Sequence, residues 1–158
     1  MDKKSNIDDT YWKILNSALE LDVKKGHLRW TLSDLSRKSG VTRSLIYYYF
    51  GRSKVSILNE AVKLSDTELT GLTPERDSMW SKGQFVESIS KARELYEKAP
   101  YLCIFIYEHI DKDSELGAEM RRVQEQFLKK ISHYFAVTKE SEKLAIYATY
   151  WGLLFCPQ

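Results

Sequence analysis

The chain has 158 residues, of which 43% are hydrophobic and 29% are charged, and its 24 basic and 22 acidic residues give a net charge of +2. This length is enough to bury an ordinary hydrophobic core. With 7 glycines and 3 prolines, the composition excludes collagen-like, low-complexity and disordered chains.

The N-terminal residues contain no apolar stretch of the kind that forms a secretory signal. The longest nearly apolar run, Leu144 to Cys156, has 13 residues, which is short of the roughly 18 that a membrane span needs. These features predict a soluble, cytoplasmic protein without a membrane partner. Cys103 and Cys156 lack any CxxC or Cys/His spacing, so we expect reduced core residues.

Basic charge is concentrated in one part of the chain. Between Lys24 and Lys54 there are eight basic residues and one acidic residue, Asp34, which gives that segment a net charge of +7. Residues 72–158 carry twelve basic and thirteen acidic residues. A basic segment of this kind predicts a phosphate-binding surface. The alternative, a solvated helix face, usually mixes the two signs.

Apolar residues recur with the helical period throughout, so the sequence predicts an all-α fold. The first helix is expected from about Asp8 to Lys25, where Gly26 stops it. Thr31 and Asp34 then form an acidic variant of the capping box that begins a short second helix.

A third short helix follows a tight turn at Gly40 and begins after Thr42. Its predicted buried positions are Leu45, Ile46, Tyr49 and Phe50, and its outward positions are Arg43, Ser44, Tyr47 and Tyr48. Successive residues on a helix point in different directions, so Tyr47, Tyr48 and Tyr49 cannot all face the core.

Ser53 caps a predicted fourth helix that runs to about Thr70 and ends at Gly71. Residues 71–79 are the predicted linker between a domain of residues 1–70 and a helical domain of residues 80–158. In the second domain, Ser81 and Gln84 form a capping box, and helices are expected to Pro100, over 101–110, over 115–135 and from about 140 onward.

The segment from Thr31 to Lys54 has the requirements of a helix-turn-helix. Ser36 is small where the two helices cross, Gly40 lies in the turn, and the second helix has free polar positions in its first turns. A helix presented in this way fits the major groove of DNA. There Arg43 can contact guanine and Ser44 can donate a short hydrogen bond.

The same segment resembles the DNA-binding domain of the TetR family of bacterial transcriptional regulators. The resemblance covers about residues 8 to 65 and is most specific from Gly40 to Lys54. It implies an all-α homodimer that binds a palindromic DNA operator, usually as a repressor that a small-molecule effector releases. The N-terminal three-helix domain would bind DNA, and the helical domain after it would bind the effector and dimerise.

The resemblance also implies roles for individual residues. Thr31 and Ser33 match positions that contact the DNA backbone and bases. Thr42, Arg43, Ser44 and Tyr47 match groove-facing positions of the recognition helix, and Tyr48 and Lys54 match phosphate contacts that Arg52 can share.

The aromatic residues after position 80 have two interpretations, as core residues or as the lining of a pocket for an apolar or aromatic effector. The candidate pocket residues are Trp80, Phe85, Tyr96, Phe105, Met120 and Phe127.

The last apolar helix supports a different kind of function. Its candidate dimer-interface residues are Tyr147, Tyr150, Trp151, Leu154 and Phe155. They could equally form a partner groove, which would make the chain a protein-interaction module or a family member that no longer binds DNA. Family members typically carry a further C-terminal helix, so we expect either a compact member that dimerises on one main helix or a truncated one.

The residues offer little support for an enzyme or a cofactor. Asp111, Asp113 and Glu115 lack the glycine and closing glutamate of a calcium loop. His109 and His133 lack a second ligand at helical spacing, so a hydrogen-bonded or surface histidine is favoured over a metal ligand. We therefore expect no catalytic residues, no cofactor and no metal.

Overall fold

The computed structural model describes residues 3–70 and 72–155, with side chains from residue 9 onward except those of residues 65, 68 and 95. Nine α-helices and no strand occur in these residues, which confirms the all-α prediction. The helices are α1 (Lys3–Lys25), α2 (Leu32–Ser39), α3 (Arg43–Phe50), α4 (Lys54–Leu64), α5 (Pro74–Ser81), α6 (Phe85–Lys98), α7 (Tyr101–His109), α8 (Glu115–Phe135) and α9 (Glu140–Phe155). A π-helical segment, Ser65–Thr70, follows α4.

Helix α1 is the centre of the N-terminal part. Its apolar residues at helical spacing, among them Ile14 and Leu19, are fully buried against α2 and α4. It begins at Lys3, five residues before the predicted start at Asp8, and no glycine or proline lies between these two positions. The other side of α1 packs on α7. The two predicted domains therefore share a packed boundary.

The predicted boundary segment, residues 71–79, contains most of helix α5, which Thr73 caps and Pro74 begins. Arg76 and Trp80 lie on this helix and are buried. Ser81 is the last residue of α5 and donates to the Asp77 carbonyl, so it does not cap α6 as expected. The chain turns at Gly83, which has a φ of 73°, before α6 begins at Phe85. Gly71 lies outside the described residues.

A buried arginine joins four helical segments on the two sides of the predicted domain boundary. The Arg76 guanidinium donates to Ser88 Oγ (3.1 Å), to the Leu69 carbonyl (3.1 Å) and to the Tyr150 hydroxyl (2.8 Å). Trp80 Nε1 also donates to Ser88 Oγ (2.8 Å). Because unpaired polar groups are costly in a core, this network fixes the relative positions of the π-helical segment, α5, α6 and α9.

Helix α9 is less buried than its apolar sequence predicts. Only Tyr150 and Leu154 are buried, while Leu144 and Leu153 are exposed. Among the described residues, no helix has both the length and the hydropathy that crossing a membrane requires.

Candidate nucleic-acid interface

The turn between α2 and α3 is held by local hydrogen bonds. Thr31 Oγ1 accepts from the Asp34 backbone N–H (3.0 Å), and the Asp34 carboxylate accepts from the Thr31 N–H (2.9 Å), which confirms the capping box. The Thr31 N–H and the Thr31 hydroxyl both donate to the Asp34 carboxylate, and together with Lys25 they lower the pKa of Asp34 from its usual 3.8 to about 2. Gly40 has a φ of 69°, and Ser36 Oγ donates to the Val41 carbonyl (2.7 Å). The small Ser36 side chain therefore lets α2 and α3 approach closely where they cross, and its hydrogen bond to Val41 stabilises the turn.

Helix α3 presents its N-terminal turns to solvent. Thr42 caps it by accepting from the Leu45 N–H (3.4 Å). Ile46 and Phe50 face the core. Arg43 and Ser44 are exposed, as predicted. Leu45 is 38% exposed rather than buried, because Ile46 and Phe50, four residues apart, define the buried side of this short helix.

The starts of α2 and α3 lie side by side on the surface. An Arg43 guanidinium nitrogen is 3.5 Å from Ser33 Oγ, at the outer limit of a hydrogen bond. Thr31, Ser33, Thr42 and Ser44 are also exposed. Arg43 therefore lies at the N-terminus of α3 and beside the N-terminus of α2. The backbone N–H groups at both N-termini attract anions.

The three consecutive tyrosines have three different environments. Tyr48 is 80% exposed. Tyr49 is half-buried, with its ring 6.3 Å from that of Tyr11. Tyr47 is also half-buried, and the Arg52 guanidinium lies 5.4 Å from its ring centre. The expectation that they do not all face the core is confirmed.

Lys54 has a structural role that the sequence did not indicate. Its ammonium donates to the carbonyls of Leu28 (2.6 Å) and Trp30 (2.9 Å) and lies 5.7 Å from the Trp30 ring centre. It therefore holds the start of α4 against the loop before α2. The predicted contact of Lys54 with a DNA phosphate stays a prediction. Arg52, in the turn just before α4, is exposed and was predicted to share that contact.

Ion pairs partly neutralise the basic segment. Lys24 and Lys38 both contact Glu20, at 2.6 and 2.7 Å. Burial alone would raise the pKa of Glu20, but these two lysines outweigh it and lower the pKa. Lys25 lies 3.2 Å from Asp34. These pairs involve residues of α1, whereas Arg43 at the start of α3 and Arg52 in the turn after it are exposed cations next to the outer face of α3.

The structure also brings together three residues that are far apart in sequence. The buried Asp22 carboxylate lies 3.0 Å from His27 Nδ1 and 3.3 Å from His109 Nε2. His109 is thus hydrogen-bonded and buried, as one of its predicted alternatives stated. The cluster was missed because α1 and α7 meet only in the folded chain, and no local spacing indicates it.

The predicted effector residues mostly form core. Trp80, Phe105 and Phe127 are buried, and Phe85 stacks on Phe135 with ring centres 4.3 Å apart. Tyr96 packs edge-on against Phe155, and Met120 borders a small void of about 20 Å³. The larger opening is a groove of about 610 Å³ between α7, α8 and α9, and none of these six predicted residues lines it. Trp80 and Phe85 also line a second opening, of about 300 Å³, between α5, α6 and α9.

The predicted dimer residues fall into two groups. Tyr150 and Leu154 are 3% and 0% exposed, so they pack within the chain and do not form an outer face, which corrects that prediction. Tyr147, Trp151 and Phe155 are half-buried and line the groove. The outer face of α9 instead carries mainly small or aliphatic residues: Leu144, Ala145, Ala148, Thr149, Gly152 and Leu153.

The fold and this surface define a helix-turn-helix DNA-binding protein. Residues 14–61 match the family model described as bacterial regulatory proteins, tetR family. Residues 14–61 therefore form a DNA-binding domain of the TetR type, as the sequence predicts.

Individual relatives are regulators of the same kind. The chain is 26% identical over 125 residues to the HTH-type transcriptional regulator SrpR of Pseudomonas putida; the match covers 78% of this chain but only 58% of SrpR. It is 27% identical over 124 residues to the uncharacterized HTH-type transcriptional regulator TtgW, also of Pseudomonas putida, covering 78% of this chain and 92% of TtgW.

One solved structure is similar to this chain. The crystal structure of native NalD, described as the secondary repressor of the MexAB-OprM multidrug efflux pump in Pseudomonas aeruginosa, aligns with a TM-score of 0.49 and 20% identity. The alignment covers 93% of this chain and 84% of that chain.

Proposed function

We propose that the chain is a cytoplasmic, homodimeric repressor that binds a palindromic operator and is released from it by a small-molecule effector. The observation that carries this proposal is the exposed first turn of α3, with Arg43 and Ser44 beside Ser33, on a two-helix unit capped at both helix starts. A recognition helix inserted in the major groove requires this exposed, rigid presentation.

The residues of this surface divide into two roles. Arg43 can form two parallel hydrogen bonds to guanine, and Ser44 can bond to a neighbouring base, so these two would read the sequence. Thr42 and Tyr47 would face the groove beside them, and Thr31, Tyr48 and Arg52 would contact phosphates and fix the register of the helix on DNA.

The outer face of α9 is the proposed dimer interface. A β-carbon added to Gly152 would meet nothing within 4 Å, so this position is open in the single chain. Small residues there let a second helix approach closely, and the exposed Leu144 and Leu153 would be buried by it. A two-fold axis on this face would pair two identical surfaces and place two α3 helices on one DNA duplex.

The groove between α7, α8 and α9 is the proposed effector site. Its volume of about 610 Å³ suits a small organic molecule. Its walls are mainly apolar, and Gln124 donates to the Tyr147 hydroxyl (3.1 Å), which leaves two polar groups able to orient a ligand. An apolar or aromatic effector fits this lining.

Two structural connections lead from this groove to the DNA-binding helices. Helix α7 packs directly on α1. Helix α9 is bonded through Tyr150 and Arg76 to the Leu69 carbonyl, near the end of the π-helical segment after α4. A ligand that favours one arrangement of α7 and α9 would shift α4 and change the separation of the two α3 helices.

Selection of bound duplexes from a random pool, followed by gel shift, tests the proposal. We expect enrichment of palindromes whose half-sites are centred about one DNA turn apart, about 34–36 Å. Absence of palindromic enrichment would contradict it. Equal effector affinity of the free and operator-bound protein would contradict the release mechanism.

The exposed apolar positions of α9 favour one alternative, a protein-interaction module. Sedimentation with and without the selected DNA separates the two functions. A dimer that binds DNA supports the repressor, whereas a chain that ignores DNA and associates through α9 supports the alternative.

A further inference from the structure

Three side chains at the boundary of the N- and C-terminal helices converge on one point. Asp22 comes from α1, His27 from the loop before α2, and His109 from the end of α7. One potential ligand atom from each lies within 4.8 Å of the other two. From this convergence we propose that Asp22, His27 and His109 bind one divalent transition-metal ion of the zinc type.

The distances suit such an ion. Zinc binds nitrogen and oxygen ligands at about 2.0–2.2 Å, so two ligands of a tetrahedral ion lie roughly 3.3 Å apart. Asp22 Oδ2 lies 3.0 Å from His27 Nδ1 and 3.3 Å from His109 Nε2. The two histidine nitrogens lie within 4.8 Å of each other and would approach to about 3.3 Å on binding. His27, in the loop after α1, is the exposed residue of the three.

The surroundings of Asp22 orient it for this role. Its other oxygen, Oδ1, accepts from the Leu28 N–H (2.8 Å) and from Trp30 Nε1 (2.8 Å). These two bonds fix the carboxylate plane and direct Oδ2 toward the histidines. Ligating carboxylates in metal sites are commonly held by hydrogen bonds of this kind.

Two histidines and one carboxylate leave a fourth coordination position open. A cavity of about 160 Å³ borders His27 and is also lined by Asn59, Ser114 and Glu115. The apolar side chains of Val55, Leu58 and Leu116 complete its lining. The cavity gives an entry path for the ion, and its polar side chains can hold a water molecule as the fourth ligand.

Metal binding would replace the hydrogen bonds that the carboxylate now shares with the two rings. Each ring would bind the ion through a nitrogen lone pair, and its proton would move to the other ring nitrogen or to solvent. No oxidation or reduction is involved. Because the ligands come from α1, the following loop and α7, a bound ion would fasten α7 to the DNA-binding helices.

The test is equilibrium dialysis of the full chain against zinc chloride, with bound metal measured by mass spectrometry. The chain has 3 histidines, so His133, which is exposed on α8, supplies a matched control. We expect one zinc ion per chain for the wild type and for His133→Ala, and at least tenfold weaker binding for His27→Ala.

The His27→Ala variant is suitable because the His27 side chain is 40% exposed and its loss leaves no cavity in the core. Its folding is checked by thermal unfolding without metal, and added zinc should raise the Tm of the wild type but not of this variant. Absence of zinc binding by the wild type, or equal binding by His27→Ala, would overturn the proposal.

An effect of the bound ion on DNA affinity is expected only if the chain binds DNA, so this part of the inference rests on the proposed function. A gel shift with and without zinc measures that effect separately from zinc binding. Zinc binding without any DNA binding would contradict the proposed repressor while supporting the metal site. DNA binding without zinc binding would contradict the metal site while supporting DNA binding by the proposed repressor.

Discussion

The Arg76 guanidinium and the Tyr150 hydroxyl lie 2.8 Å apart, and both donate to the Leu69 carbonyl oxygen. All three groups are buried, so the bonds cannot be replaced by water without opening the core. The triangle joins the π-helical segment after α4 to helices α5 and α9. It is a polar link between the predicted N-terminal domain and the last helix.

We expect Tyr150→Phe to lower the free energy of unfolding by about 1–3 kcal/mol, because the substitution leaves buried partners without the hydroxyl. Urea denaturation measures the change. Tyr107→Phe is the control, since Tyr107 is 83% exposed and its change should stay within about 0.5 kcal/mol. Equal effects of the two substitutions would show that the triangle does not stabilise the fold.

We expect Lys54→Met to lower the free energy of unfolding by about 1–3 kcal/mol, because it removes both hydrogen bonds to the Leu28 and Trp30 carbonyls. Lys63→Met is the control, since the Lys63 side chain is 72% exposed. Chemical denaturation measures both. If Lys54→Met weakened DNA binding without any loss of stability, Lys54 would act at a phosphate and not in the fold.

Local features of the DNA-binding half were predictable from the sequence. The caps at Thr31 and Thr42 and the left-handed turn at Gly40 depend on residues at most three positions away, and the structure confirms them. The exposure of Arg43 and Ser44 was also predictable, because both residues directly follow the Thr42 cap and precede the buried Ile46. The prediction that Leu45 is buried was wrong. Helix α3 has only eight residues, about two turns, so its sequence pattern does not define the buried face sharply. That face is set by packing against the neighbouring helices, and it contains Ile46 and Phe50.

The non-local features were not predictable. Helix α5 is held by the partners of Arg76 and Trp80, which include Ser88 and Tyr150, and none of these is a sequence neighbour. The meeting of Asp22 with His109 likewise depends on α1 packing against α7. Hydrophobic periodicity gives the inward face of a helix but not which residues of another helix it meets.

The two exposed arginines of the proposed DNA surface should differ in effect. We expect Arg43→Ala to cost about 1–3 kcal/mol at one base pair and to relax specificity there. Arg52→Ala should weaken binding to all duplexes alike and reduce the slope of log affinity against log salt by about 1. Gel shifts with single-base operator variants at several salt concentrations measure both, and identical profiles would contradict the assigned roles.

The α2 capping box should contribute stability that depends on pH. The pKa of Asp34 is lowered from its usual 3.8 to about 2 in the folded chain, so the contribution is present above about pH 4 and is lost as the pH falls toward 2. We therefore expect the Tm of the wild type to exceed that of Asp34→Ala at pH 7, and the difference to shrink below pH 4. A difference that is independent of pH would contradict this origin.

The outer face of α9 gives a test of self-association that leaves the single chain intact. Gly152 is exposed, and a β-carbon added there would meet nothing within 4 Å, so we expect an arginine at this position to extend into solvent. At the centre of a two-fold interface the same arginine would face its own copy, and two charges would be desolvated together. We expect Gly152→Arg to be monomeric by sedimentation and to lose most of its operator affinity. The control is Ser141→Arg, at the exposed start of the same helix, which should remain dimeric. If Gly152→Arg also remained dimeric, the interface would have to lie on another surface.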